Sequence, residues 1–222
     1  GLDFSACPVL PHSGVTAAQC YQSNSNALVA CSSPGATAFN RQQDGHRAAV
    51  NPMSYSEVRN PAGGYFARTE CVVDNLTGLM WEGKTANGSG PRSGDSRFTN
   101  YDDPTQPQHW DRTNPTQAEI DAVTNSVGYV NHVNGMALCG FTDWRLPTAD
   151  ELQSIVDYSV AYPGPAIAIN WFPNTGAWGY WSSSPYVGRP DYAWMTYMPG
   201  GGVYGDYFRQ FTYAVRLVRT RR

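Results

Sequence analysis

Five cysteines, four histidines and a short run of aspartates are the residues of this 222-residue chain best suited to chemistry, and their spacing limits what they can do. Cys7, Cys20, Cys31, Cys71 and Cys139 include no Cys-x-x-Cys pair, which argues against zinc and for an oxidised framework. Cys20 and Cys31 flank YQSNSNALVA, a segment able to turn back on itself, so these two are expected to bond. Cys71 and Cys139 then form the natural second pair. Cys7 is left over. Its context, FSAC, resembles a weak bacterial lipobox, in which the cysteine would carry lipid and tether the chain to a membrane. Asp3 is ill suited to the apolar stretch of such a signal, and an unpaired thiol is the alternative. His12, His46, His109 and His132 form neither His-x-x-x-His nor His-Glu-x-x-His, so no metal or catalytic role is assigned to them. In DSRFTNYDDPTQ, Asp95, Asp102 and Asp103 offer oxygens to calcium but lack the regular spacing of a calcium loop, and a solvated loop is expected. The sequence has no Gly-x-Ser-x-Gly elbow, no phosphate-cradling glycine loop and no nucleophile with its base. No catalytic residue, metal site or cofactor is therefore expected, and the chain does not read as an enzyme.

A different chemistry is concentrated near the end of the chain. Between Tyr186 and Tyr213, tyrosines and phenylalanines alternate with Gly188, Gly200, Gly201, Gly202 and Gly205 and with a few charges. Glycine weakens a strand and packs nothing, so this mixture is costly in a buried sheet. It suits a recognition surface, where tyrosine gives amphipathic contact area at low entropic cost and glycine lets loops adapt. The candidate ligand-binding residues are Tyr186, Arg189, Asp191, Tyr192, Tyr197, Tyr204, Asp206, Tyr207 and Arg209. They are expected to converge on one solvent-facing patch, with Trp144, Trp181 and Trp194 buried beneath or beside it. The alternative is an ordinary aromatic-rich meander.

The elements that must position these residues follow from composition and periodicity. The length suffices for one domain plus an arm, and the core needs no metal or disulfide. Only 15% of residues are charged and the net charge is −3, which suggests a loop-rich secreted or surface protein. No apolar run approaches the roughly 20 residues that span a bilayer, and with no signal peptide at its start the chain reads as a mature or trimmed form. Residues 1–66 are rich in Ala, Ser, Asn and Pro and read as an extended arm pinned by its disulfide; the compact domain is expected over 67–222. ECVVDNLTGLMWEG predicts a hairpin of Cys71–Val73 and Leu79–Glu82. Residues 84–113 read as a long surface loop. Asn114 and Pro115 start a helix whose face is Ile120, Val123, Val127 and Val130, running to about Val133. Thr148 and Glu151 have capping-box spacing and open a second helix, ending near Tyr158, with Leu152, Ile155 and Val156 inward. GYWSSSP, YAWMTYM, GGVYGDYF and YAVRLVR then read as strands, the last free to pair near the first. Two helices and a mostly antiparallel twisted sheet make an α+β domain.

At this level the residues carry a resemblance. VVDNLTGLMWEGKT, CGFTDWRLPTADELQSIVDYS, WFPN, YWSSSP, AWMTY and YAVRLVR, in that order over roughly residues 70–219, resemble the bacterial domain family represented by the C-terminal domain of the Legionella collagen-like adhesin. LPHSGVTAAQCYQ is similar to the leader that precedes this domain in some members. The resemblance implies a C-type-lectin-like fold of the formylglycine-generating-enzyme type. The chemistry of those enzymes centres on cysteines late in the domain, and this chain has none after Cys139. Some relatives of this fold are variable proteins of diversity-generating retroelements, whose last strands are hypermutated for new binding. Trp81, Trp144, Arg145, Pro147, Trp181 and Trp194 lie in the shared motifs and are assigned to the scaffold, Arg145 as a structural ion pair or a cap for carbonyls. The expected partner is a protein or glycan on another cell or phage, with no nucleic acid, and the expected location is secreted or on the bacterial surface, including an outer-membrane lipoprotein. The rival is an adhesin that holds sulfated polysaccharide through the basic end formed by Arg216, Arg219, Arg221 and Arg222, which the net charge disfavours.

Overall fold

A computed structural model describes residues 18–47 and 52–221. Cys7 and His12, with the expectation of a lipidated N-terminus, lie outside the described residues, as does Arg222. The first described part is a small unit of β1 (Gln19–Gln22), β2 (Ser25–Ala30), α1 (Pro34–Phe39) and a 3-10 turn at Asp44–Arg47. β1 and β2 pair antiparallel, and the Cys20–Cys31 disulfide closes them as expected.

The main sheet has the order β3-β4-β5-β9, all antiparallel, from Tyr55–Glu57, Cys71–Asp74, Leu79–Glu82 and Val218–Thr220. The hairpin β4–β5 is where the sequence placed it, its turn held by Asp74, whose Oδ1 accepts from Leu76 N at 2.9 Å and whose Oδ2 accepts from Thr77 Oγ1 at 2.7 Å. β3 comes from the segment read as an arm, so the sheet reaches back before residue 67. Both faces of β4 and β5 are buried, and alternation divides the core in two. Val73 and Met80 join Trp144, Trp181, Tyr129 and Leu217, whereas Val72 and Trp81 join Leu152, Ile155, Phe172 and Tyr180. A buried strand of this kind reads as an apolar run rather than an alternation.

The expected first helix is two. α2 (Gln117–Asp121) is capped by Thr116, whose hydroxyl accepts from Glu119 N while Glu119 reaches back to the Thr116 N–H, so the start moves inward from Asn114. The chain then breaks and restarts as α3 (Ser126–Gly135). Asn125 causes the break: its buried amide accepts from Tyr101 N at 2.8 Å and donates to Tyr101 O and Ile120 O at 3.0 and 2.8 Å. Of the predicted apolar face only Ile120 is buried, Val123 is exposed, and α3 instead buries Ser126, Gly128, Tyr129 and Val133. α4 (Ala149–Ser154) carries the expected Thr148–Glu151 capping box, but it stops at Ser154, and Ile155 and Val156 are buried from irregular backbone. Cys71–Cys139 ties β4 to the 3-10 turn after α3.

The second sheet, β6-β7-β8, is antiparallel and comprises Gly179–Pro185, Tyr192–Tyr197 and Gly202–Phe208. YAVRLVR is not one strand. Its first residues run beside β6, with Ala214 N donating to Gly179 O and Trp181 N to Ala214 O at 2.9 Å each, and only Val218–Thr220 becomes β9. Residues 84–113 are more than a surface loop: Phe98 and Tyr213 exchange backbone hydrogen bonds, and Phe98, Asn100 and Tyr101 are buried.

Candidate ligand-binding face

The nine residues singled out from the sequence do not form one patch. Side chains alternate across a strand, so in β7 Tyr192 and Trp194 stand on one face and Ala193, Met195 and Tyr197 on the other. Register carries the division into β8: Tyr192 lies opposite Phe208, Ala193 opposite Tyr207 and Met195 opposite Tyr204. The ring contacts confirm two separate clusters. Tyr197, Tyr204, Tyr207 and Tyr213 run in edge-on succession at 6.3, 6.3 and 5.4 Å and end on buried Trp181. Tyr186, Tyr192, Trp194, Phe208 and Phe211 form the second, with Tyr192 and Phe208 at 4.4 Å. Of the first cluster, Tyr204 is the most exposed and Tyr197 and Tyr207 lean on the core; Asp206 is exposed on β8.

Asp191 and Arg209, expected at the surface, are buried, because each ties loops together. Asp191 accepts from Arg189 Nε and Nη2 at 3.0 and 2.9 Å, and Arg112 Nη1 lies 3.8 Å away. Burial alone would push the Asp191 carboxyl up, but the hydrogen bonds and charge of Arg189, with Arg112 beyond, hold it below the usual range. The same hydrogen bonds raise the Arg189 guanidinium, which lies 4.2 Å over the Tyr192 ring. Arg209 donates to Asn100 O at 2.6 Å, to Asp102 Oδ2 at 2.9 Å and to Tyr192 O at 3.2 Å. Trp194, expected in the core, is only half-buried and packs on Tyr186; Trp144 and Trp181 are buried as expected. Gly205 permits that packing, since a Cβ there would meet Tyr186 and Trp194 at 2.7 and 2.8 Å.

Beside Tyr186 of the second cluster a groove of about 450 Å³ opens between residues 102–108 and 185–190, lined also by Asp102, Asp103, Gln106, Gln108, Arg189 and Arg209. Trp110 is 65% exposed and Val187 92% exposed, and Phe211 is exposed as well. Trp110 N donates to Gln210 Oε1 at 3.0 Å, which fastens this loop to the turn after β8. Sequence reasoning missed Trp110 and Phe211 as site residues. The signal was present for Trp110, an isolated indole in the polar run QPQHWDRTN with no apolar neighbour to pack on.

The other candidate sites are taken up by local structure. Asp95 accepts from Gly88 N and Ser93 Oγ, Asp102 pairs with Arg209 and Asp103 accepts from Thr105, so the three aspartates do not share a centre. Two arginines of the basic end are taken up as well: Arg216 is fully buried and donates to Glu82 O, and Arg219 is buried against Asp143 at 2.6 and 3.1 Å. Arg145 makes the expected ion pair, bidentate to Glu151 at 2.7 and 2.6 Å.

A family model described as the Lcl C-terminal domain matches residues 70–219. The chain belongs to the Lcl C-terminal domain family. The Lcl domain holds both aromatic clusters and the whole groove, whereas β3 and the unit at 18–47 precede it. No curated protein matches the chain.

Proposed function

We propose that this is an adhesin-like ligand-binding protein, displayed on or secreted from a bacterial cell, that holds a protein or glycan of another cell or phage at the groove between residues 102–108 and 185–190. One observation carries the reading. Exposed Tyr186 lines a polar groove whose walls are fixed in advance by buried Asp191 and Arg209, and exposed Trp110 and Phe211 follow its lining residues Gln108 and Arg209 by two positions in the chain. Large aromatics at the surface supply most of the energy in recognition, and walls that need not be ordered on binding lose less entropy. Membership of the Lcl family supports a surface or secreted role. Among the described residues no helix is long and apolar enough to cross a membrane; lipid on Cys7 would supply an anchor. The role is binding, not catalysis, and a C-type-lectin-like scaffold is the frame that the family implies for it.

Diversification by a retroelement is the finer reading of the strands and turns from Tyr186 to Tyr213. It predicts that substitutions among closely related genes fall on Tyr186, Tyr204 and Asp206 and spare Asp191, its partner Arg189 and Arg209. The binding role is tested with an array of neutral, sialylated and sulfated glycans together with whole-cell adherence. Trp110→Ala with Tyr186→Ala is expected to abolish retention of whichever probe binds while the melting temperature stays within a few degrees. Undiminished retention by the folded variant would reject the groove as the site.

A further inference from the structure

We propose that, once its disulfide is reduced, the small unit at residues 18–47 becomes a three-ligand site for a soft divalent cation of the zinc type, held by Cys20, Cys31 and His46. The ligating atoms of these side chains all lie within 4.8 Å of one another. The imidazole Nε2 of His46 is shielded from solvent and has no hydrogen-bond partner, although a buried ring nitrogen normally has one. The approach of the ring depends on Gly45. A Cβ at that position would lie 2.6 Å from Cys31 Sγ and 2.2 Å from Gln19 O, so glycine lets the 3-10 turn sit against the sulfurs.

The size of the unit explains why it needs such a centre. Its core is Cys20, Cys31 and Ala36 with Val29 packed alongside, far too little apolar surface to hold about 30 residues by burial. A cross-link is required, and the same two sulfurs supply it in either redox state. A dithiol reductant opens the bond by thiol–disulfide exchange: its own sulfurs become a disulfide, and two electrons and two protons arrive on Cys20 and Cys31. Each thiol then releases its proton as its sulfur bonds the cation, with no further electron transfer. Two thiolates and an imidazole suit zinc, with water in the fourth tetrahedral position. Zinc–sulfur bonds of about 2.3 Å place two tetrahedral sulfurs roughly 3.8 Å apart, a separation that side-chain rotation can supply.

The test uses the full chain carrying Cys7→Ser, reduced without air by a phosphine, freed of reductant and titrated with Co(II). One equivalent is expected to give the visible bands of tetrahedral cobalt and thiolate-to-cobalt charge transfer, both removed when zinc displaces it; the oxidised chain gives neither. His46→Ala is expected to weaken binding about 10- to 100-fold or more, and His46→Cys to restore it with a third thiolate. Cys20→Ser with Cys31→Ser should abolish the bands although Cys71 and Cys139 are still present. The proposal is overturned if the reduced chain gives no such bands, if His46→Ala binds as tightly as its parent, or if the bands survive loss of Cys20 and Cys31.

Discussion

Lys84 is the residue whose burial has the clearest physical cost. Its ammonium donates to both oxygens of Glu82 at 3.1 Å and to Tyr129 Oη at 3.0 Å, while Tyr129 donates to the same carboxylate. Arg216 and Arg92 also face this pocket, so one acid meets three cations. Burial first, opposed by Glu82 and reinforced by Arg216 and Arg92, lowers Lys84 from 10.5 to about 8. Between those values the unfolded chain holds the proton and the folded chain does not, so stability rises with pH across that window and the penalty is full below it. Burial raises Tyr55, Tyr129 and Tyr180, so above pH 10 their ionisation favours the unfolded chain and reverses the trend. Thermal melts taken from about pH 7 to 11 should therefore climb and then fall, and Lys84→Met should remove the climb. Nothing in the sequence announced this pocket, just as nothing announced the burial of Arg209, because the partners are remote: Asn100 is 109 residues from Arg209.

At the level of elements, two local signals are read as they stand, whereas the equally local capping box of Thr116 and Glu119 is missed in favour of Asn114. The Thr148–Glu151 capping box and the β4–β5 turn are decided within a few residues, and both stand where the sequence put them. The region from 114 to 133 was misread because its apolar spacing is helical throughout, while the break depends on Asn125 bonding to Tyr101, 24 residues away. Gly128 completes the break by letting α3 pass over the end of α2: a Cβ there would lie 2.2 Å from Ala122 O. Gly128→Ala should consequently cost about 1–3 kcal/mol, despite alanine's better helix propensity, as measured by urea unfolding. A variant as stable as the parent would mean that the crossing relaxes freely. The aromatic patch was half legible. Composition located the rings, but the bulge between Ala193 and Met195 and the strand alternation distribute them over two faces, and neither is visible without the register.

For the molecule as a whole, the Cys71–Cys139 bond spans 68 residues and joins the first strand of the Lcl domain to the turn after α3. Closing a loop of that length restricts the unfolded chain by about 4 kcal/mol, so Cys71→Ala with Cys139→Ala should lower the free energy of unfolding by about that amount. An unchanged denaturation midpoint would show that the framework is held without it. The antiparallel sheets and both disulfides were legible because apolar runs and cysteine spacing are sequence properties, whereas the way residues 213–220 knit the two sheets together was not. That segment lies beside β6 at Ala214 and then inserts between two neighbours, with Val218 exchanging backbone bonds with Arg145 on one side and Leu217 accepting from Glu82 on the other. Tension applied at Thr220 would thus meet resistance from two flanks at once and could not peel β9 away one bond at a time. A tether attached there would transmit drag into the body of the domain before the fold gave way.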